Sequence, residues 1–314
     1  EKEHKFKMRA VIKLLLFAIL SLCRADEIDD TWRAFLTDPP SEAKDRAAAL
    51  QARADSIASS LSTADFAWDL SDIDVVVSGG GNFDAFYMGA QMVLNRLDAA
   101  AVSVERFAGV SAGGMMPFEL ALKGETTTLE SHLSYGVLSA RYADKYKSAV
   151  SAMYLEDHHW RIMAEWQTET YASTLSSSLD GKVFVGTSCM KPLPTLVIID
   201  EYTAEKDQAT HAFMSTGTYA EIYDGMFCTD GGMTTGPKMT PLFQDSVRPQ
   251  LIVDLMATGY PSDMVYRVDF DQYASLIEDG MDEMESFLVA GKTERDGIIT
   301  LCPVGADVSG FVCK

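Results

Sequence analysis

Short runs of β-branched residues alternate with windows of helical periodicity from residue 73 onward. The run Ile73–Val77 predicts a buried strand, and Gly89–Ala101 predicts a helix because its apolar residues recur on one face. The same patterns predict strands at Val104–Ala108, Lys182–Thr187, Thr195–Asp200, Met226–Thr229 and Leu251–Leu255, and helices at Ala112–Lys123 and Phe270–Ala290. Strands that alternate with helices imply crossover connections, so the sequence predicts an α/β fold with a mainly parallel central sheet.

The first 72 residues do not show this alternation. A basic start after Met8 leads into the apolar stretch 14–23 and small residues up to Ala25, which is the layout of a cleaved secretory signal. The stretch is shorter than the roughly 20 residues of a membrane span, and a buried N-terminal helix is the alternative. We therefore expect a signal peptide at 1–25 (with 1–7 upstream of the start codon), a helical N-terminal extension at 26–72 and the main domain at 73–314. Such a signal directs a chain to the secretory pathway, either for secretion or for an endomembrane or vacuolar lumen.

Composition and charge exclude several classes of protein. Hydrophobic residues make up 47% of the chain and charged residues 23%, which is typical of a globular protein and not of a disordered one. The 26 Lys and Arg residues face 46 Asp and Glu, for a formal charge of −20. A nucleic-acid partner is not expected, because binding to phosphates requires clustered cations and none cluster in the folded part.

Four cysteines remain after cleavage at Ala25, and in an oxidising compartment an even number permits two disulfides. Cys302 and Cys313 bracket a short loop that contains Gly and Pro, so we expect them to pair, and Cys189–Cys228 follows by elimination. Four buried thiols are the alternative. No C-x-x-C motif occurs, so the cysteines do not predict a zinc site.

One candidate nucleophile lies between a predicted strand and a predicted helix, in the run Gly109-Val110-Ser111-Ala112-Gly113. A serine at such a tight turn is held in a strained conformation with its hydroxyl exposed, and Gly109 and Gly113 avoid clashes that side chains would cause. The helix that follows directs its positive N-terminus at a developing oxyanion. The sequence therefore predicts Ser111 as a nucleophile; the alternative is a glycine-rich turn with an N-capping serine.

A glycine run directly follows the first predicted strand. Gly79, Gly80 and Gly81 leave bare amides that can approach a ligand closely, either a phosphate or an oxyanion. A dinucleotide fingerprint would need glycine at position 84, where Asp84 stands instead. With a candidate nucleophile downstream, an oxyanion hole is the better interpretation, and no cofactor is expected.

The general base is predicted to be a carboxylate. An α/β-hydrolase triad needs a late histidine, but no histidine follows His211. Asp230-Gly231-Gly232 follows a predicted strand, and two glycines suit a backbone that approaches a reaction centre closely. Asp180-Gly181 and Asp224-Gly225 have the composition of turns, so we favour Asp230.

These three motifs, in this order, resemble those of the patatin-like phospholipases over roughly residues 73–290. The resemblance implies a three-layer α/β/α sandwich and a Ser111–Asp230 catalytic dyad that acts without histidine or metal. It also implies hydrolysis of fatty-acyl esters, of the phospholipase A or galactolipase type, in phospholipid or glycolipid substrates at a membrane or micelle surface.

Other functions stay open. No Lys or Arg follows the glycine run, whereas family members usually carry one there. A catalytically weak storage or lipid-binding protein on the same scaffold is therefore an alternative, as is an α/β-hydrolase esterase with an unrecognised histidine.

Phe86 and Tyr87 stand beside the glycine run, so we expect them to line a groove for the acyl chain.

Overall fold

The computed structural model describes residues 27–145, 149–190, 193–202, 221–235, 247–265, 268–293 and 297–303. The helices are α1 (27–37), α2 (Ser41–Ser60), α3 (Asp84–Leu94), α4 (Ala112–Lys123), α5 (Glu125–Arg141), α6 (Ala149–Thr170), α7 (Leu175–Leu179), α8 (Gly232–Thr235) and α9 (Phe270–Ala290). The strands are β1 (Leu70–Val77), β2 (Val102–Val110), β3 (Val183–Met190), β4 (Pro194–Ile199), β5 (Glu221–Tyr223), β6 (Met226–Asp230), β7 (Gln250–Val253) and β8 (Ile299–Cys302).

All of the strands belong to one sheet with the order β5-β6-β3-β2-β1-β7-β8, and β4 pairs with the outer edge of β3. The four central strands, β7, β1, β2 and β3, run parallel. The strands at both edges are antiparallel to their neighbours. The predicted α/β class with a mostly parallel central sheet is confirmed.

Most predicted elements form close to their expected positions, and α9 has the predicted bounds. The largest difference is α3, which was expected at Gly89–Ala101 but covers Asp84–Leu94. Every residue of α3 is buried, so it has no polar face from which periodicity would mark its start. The short strands β5 and β8 were not predicted.

One face of the sheet packs against helices α2, α3 and α9. Val75 and Val77 of β1 share a hydrophobic cluster with Leu251 and Val253 of β7 and with the buried residues of these helices. Helices α3 and α9 cross at backbone contact, because a Cβ at Gly280 would lie 1.9 Å from the carbonyl oxygen of Phe86. This packing fixes α3, and with it the glycine run that precedes α3.

The opposite face of the sheet is also buried. Val76, Ala108, Val110, Ile252 and Cys302 form a cluster there that includes no helical residue among those described. Right-handed crossovers place α3 and α4 on one face of the sheet. The chain between β3 and β7 falls largely in 203–220 and 236–246, outside the described residues, so the third layer of the sandwich stays a prediction.

The disulfide predictions have different outcomes. Cys189 and Cys228 are bonded across the antiparallel pair β3–β6, with a Cα–Cα distance of 4.0 Å. This pairing is confirmed. Cys302 is disulfide-bonded, but its predicted partner Cys313 lies outside the described residues, so that pairing stays a prediction.

The predicted signal peptide at 1–25 lies outside the described residues, and the predicted extension at 26–72 holds two helices before β1. Of these, α2 buries a face of Ala43, Ala47, Leu50 and Ala54 in the same cluster as α3 and α9. In the part of the chain that the structure describes, no helix combines the length and the hydropathy needed to cross a membrane.

Candidate active site

Two strands meet head-on along one edge of β3. Strand β2 runs parallel to β3 and ends with Val110 opposite Gly186. Strand β6 runs antiparallel to β3 and ends with Asp230 opposite Thr187, the next residue. Strand β4 occupies the other edge of β3. The ends of β2 and β6 therefore face each other along the edge of β3 that they share. Ser111 and Asp230 are therefore brought together by sheet register.

Ser111 forms a strained turn between β2 and α4. Its backbone has φ 53° and ψ −139°, in a region that L-residues rarely occupy. The two predicted elbow glycines allow this turn, since a Cβ at Gly109 would lie 2.0 Å from the Gly113 carbonyl oxygen. A Cβ at Gly113 would lie 2.2 Å from the carbonyl oxygen of Ser78. The N-terminus of α4 thus packs directly on the chain that leads into the glycine run.

Asp230 accepts hydrogen bonds from two sides. The Ser111 hydroxyl donates to its side chain, and the Gly232 amide donates to its Oδ1 at 2.7 Å. Burial raises the pKa of the Asp230 carboxyl above its usual value, and these two hydrogen bonds partly offset that rise. Asp230 is therefore a stronger base than an exposed aspartate and already contacts the Ser111 proton.

Gly231 makes the close approach of the two strand tips possible. A Cβ there would lie 2.3 Å from the Gly186 carbonyl oxygen and 2.8 Å from a methyl group of Val110. Any side chain would therefore separate β6 from β2 and move Asp230 away from Ser111.

The glycine run lies beside the nucleophile. A Cβ at Gly79 would lie 2.9 Å from the Cβ of Ser111 and 3.6 Å from its Oγ. Ser78 anchors the run, because its buried hydroxyl donates to Asp254 Oδ1 at 3.2 Å and accepts from the Leu255 amide at 2.8 Å. Gly79 is therefore the residue of the run closest to Ser111.

Gly80 and Gly81 lie against the segment that follows β7. A Cβ at Gly80 would be 2.9 Å from the Leu255 Cβ, and one at Gly81 would be 2.2 Å from the Val265 carbonyl oxygen. Gly81 also has φ +54°, a conformation that favours glycine.

Several backbone amides are available to a ligand near Ser111. Among the described residues, the amides of Gly79 and Gly80 find no hydrogen-bond acceptor. Ala112 is the first residue of α4, where an amide has no acceptor within the helix. Ala112 was missed in the sequence analysis, although the residue after an elbow nucleophile commonly supplies such a donor.

The predicted groove residues lie elsewhere. Phe86 and Tyr87 are 0% and 1% exposed and belong to the core between α3 and the sheet. The Tyr87 hydroxyl donates to Gln91 within the same helix. Because all of α3 is buried, neither ring lines an open groove, and the prediction that they do is wrong.

The described histidines bond to groups outside the Ser111–Asp230 site. His132 is buried and contacts Tyr273 and Glu119. His158 contacts Asp29, and burial lowers the pKa of His159 to about 3. The remaining candidate, His211, lies outside the described residues.

Asp224, which the sequence analysis assigned to a turn, lies between β5 and β6 with φ 48°.

No metal centre is formed by the residues that the structure describes, since no three His, Cys, Asp or Glu side chains converge on one point.

No protein-family model matches the chain, and comparison with curated proteins finds no match.

Proposed function

We propose that this protein is a carboxylic ester hydrolase that cleaves fatty-acyl esters of lipids with a Ser111–Asp230 dyad. The observation that carries the proposal is the hydrogen bond from the Ser111 hydroxyl to Asp230, made at a strained turn on the N-terminus of α4. The lipid class of the substrate comes from the motif resemblance to patatin-like phospholipases.

In the first half-reaction, Ser111 Oγ attacks the ester carbonyl carbon while Asp230 takes its proton. The carbonyl oxygen becomes an oxyanion, for which the amides of Gly79, Gly80 and Ala112 are the proposed donors. Losing one such donor commonly costs about 3–4 kcal/mol of transition-state stabilisation. The bond from the carbonyl carbon to the alcohol oxygen then breaks, and Asp230 returns the proton to the leaving alcohol.

In the second half-reaction, water attacks the acyl-serine and Asp230 takes a proton from that water. Collapse of the oxyanion breaks the bond to Ser111 Oγ, which recovers its proton from Asp230 and releases the fatty acid. One carboxylate serves both steps because it returns to its ionised form after each.

The experiment compares turnover of a short-chain nitrophenyl ester and fluorophosphonate labelling in four proteins. Wild type is expected to be active and to be labelled at Ser111, and Ser111→Ala to lose both properties. Asp230→Asn keeps the side-chain shape but cannot take the proton, so we expect a loss of about 10²–10⁴-fold in rate. Asp224→Asn, in an exposed turn, is the matched control and is expected to keep wild-type activity.

Other outcomes would contradict the proposal. Full activity in Asp230→Asn, with loss in a histidine variant such as His158→Gln, would favour a triad esterase. Binding of lipid without turnover or labelling by the wild type would favour the storage or lipid-binding alternative. Phospholipid and galactolipid vesicles, assayed for released fatty acid, would then identify the head group.

A further inference from the structure

Strand β6, which carries Asp230, has little backbone support. It pairs with β3 through three residue pairs only, from Thr187–Asp230 to Cys189–Cys228. After Asp230 the chain leaves the sheet through Gly231 and enters the single turn of α8. The direction of the Asp230 carboxylate therefore depends on what holds this turn.

Ser188 holds the turn from the neighbouring strand. Its side chain is buried, with 4% exposure, and its hydroxyl donates a hydrogen bond of 3.1 Å to the Gly231 carbonyl oxygen. The same Oγ accepts from the Thr234 amide at 3.0 Å and lies 2.8 Å from Thr234 Oγ1. Thr234 in turn donates its hydroxyl to the Gly231 carbonyl at 3.0 Å. One hydroxyl thus ties both ends of the turn to β3.

The turn from Gly231 to Thr234 orients the general base, Asp230. The Gly232 amide, which donates to Asp230 Oδ1, lies between the two residues that Ser188 holds. If that amide moves, the carboxylate loses the bond that fixes its rotamer and that lowers its pKa. Ser188 makes its side-chain hydrogen bonds to Gly231 and Thr234, so its effect on the reaction passes through this turn.

We propose that Ser188 is a positioning residue for the general base: its hydroxyl fixes the Gly231–Thr234 turn, which aligns the Asp230 carboxylate with Ser111. This inference rests on the proposed function and adds a residue that none of the sequence motifs includes.

The test uses substitutions that separate the hydroxyl from side-chain volume. Ser188→Ala removes the hydroxyl, while Ser188→Thr and Ser188→Val form a pair of equal shape in which only threonine keeps it. Ser131→Ala is the matched control, because Ser131 is also buried but bonds within its own helix to Thr127. Thermal unfolding shows which variants are folded.

We expect Ser188→Ala and Ser188→Val to lower kcat by about 10–100-fold, since a displacement of about 1 Å at a reacting group commonly costs that much. KM is expected to stay within about twofold, because the alignment of the base acts on the chemical step. The acidic limb of the kcat/KM profile should move to higher pH by about 0.5–1 unit, because Asp230 loses a hydrogen bond to its ionised form. Ser188→Thr should restore both kcat and the pH profile.

The outcomes separate the two proposals. If wild type shows turnover that depends on Ser111, but Ser188→Ala and Ser188→Val keep its kcat and acidic limb, the positioning role is wrong and the proposed function stands. Equal impairment of the threonine and valine variants would also overturn the positioning role. If wild type shows no turnover that depends on Ser111, the proposed function fails, and this inference fails with it. If Ser188→Ala does not fold, the threonine and valine variants decide.

Discussion

Replacing Asp84 by asparagine is expected to remove a pH-dependent loss of stability. Asp84 begins α3, and burial raises the pKa of its carboxyl from 3.8 to about 6. Its partners come from three other helices. The Tyr273 hydroxyl donates to Asp84 at 2.9 Å, and the His132 ring lies 3.7 Å away. Glu119, which also contacts His132, forms a buried ion pair with Lys123.

The sign and size of the effect follow from proton binding. Between pH 3.8 and pH 6 the folded state holds the Asp84 proton more tightly than the unfolded state does, so the free energy of unfolding falls as pH rises. A shift of about two pKa units corresponds to about 3 kcal/mol over the whole range. The loss is complete above about pH 7 and absent below about pH 3. The asparagine side chain of the Asp84→Asn variant titrates in neither state, so the variant lacks this contribution.

The assay is urea unfolding at several pH values between 5 and 8, because the sequence pI of about 4.5 favours precipitation at lower pH. About half of the effect, roughly 1.4 kcal/mol, falls in this window. The free energy of unfolding of Asp84→Asn minus that of wild type should therefore rise by this amount from pH 5 to pH 8. Asp65→Asn, in an exposed short helix, is the control. A flat difference, or one that falls with rising pH, would refute the reasoning.

Two further predictions concern the elements around the site. The double variant Cys189→Ala/Cys228→Ala should lower the free energy of unfolding by about 4 kcal/mol, which is the loop-entropy value for a sequence separation of 39. Cys302→Ala, which removes a cysteine of the other disulfide, is measured for comparison. A loss below about 1 kcal/mol in urea unfolding would contradict this. Ser111→Gly should abolish turnover yet raise stability by about 1 kcal/mol, because glycine adopts φ 53° without strain. A lower melting temperature for Ser111→Gly than for wild type would count against strain at the turn.

The sequence predicted the parts of the site that depend on local pattern. Gly79–Gly81 follow the β-branched run Ile73–Val77, and Ser111 stands in a Gly-x-Ser-x-Gly motif after a predicted strand. Both signals are visible without any partner segment. Asp230 was selected in the same way, by its place at a strand end. For Ser111 and the glycine run these local signals suffice, because the carboxyl ends of the parallel strands β1 and β2 lie at one edge of the sheet. Asp230 reaches the same place by a different route, since the antiparallel strand β6 ends against the end of β2.

The features that were missed depend on contacts between distant segments. Nothing in the composition of α3 distinguishes a groove from the core, so Phe86 and Tyr87 were misplaced. The Ser188 hydroxyl acts across two strands, and its bonds arise only once β6 has paired with β3. His132 is buried among polar groups from α3, α4 and α9, none of which its own segment of sequence indicates. Periodicity along one segment carries no information about such partners.

The register of β6 decides whether a dyad exists at all. Side chains alternate between the two faces of a strand, so a slip of β6 by one residue would turn Asp230 to the opposite face. Strands β3 and β6 are joined by three residue pairs, and on its other edge β6 pairs with the three-residue strand β5. The Cys189–Cys228 bond lies two residues from the Thr187–Asp230 pair and on the same face, about 7 Å away. With the cysteines joined, Asp230 must lie opposite Thr187, next to the end of β2. The covalent link therefore fixes the register that places a carboxylate, and no other residue of β6, against Ser111.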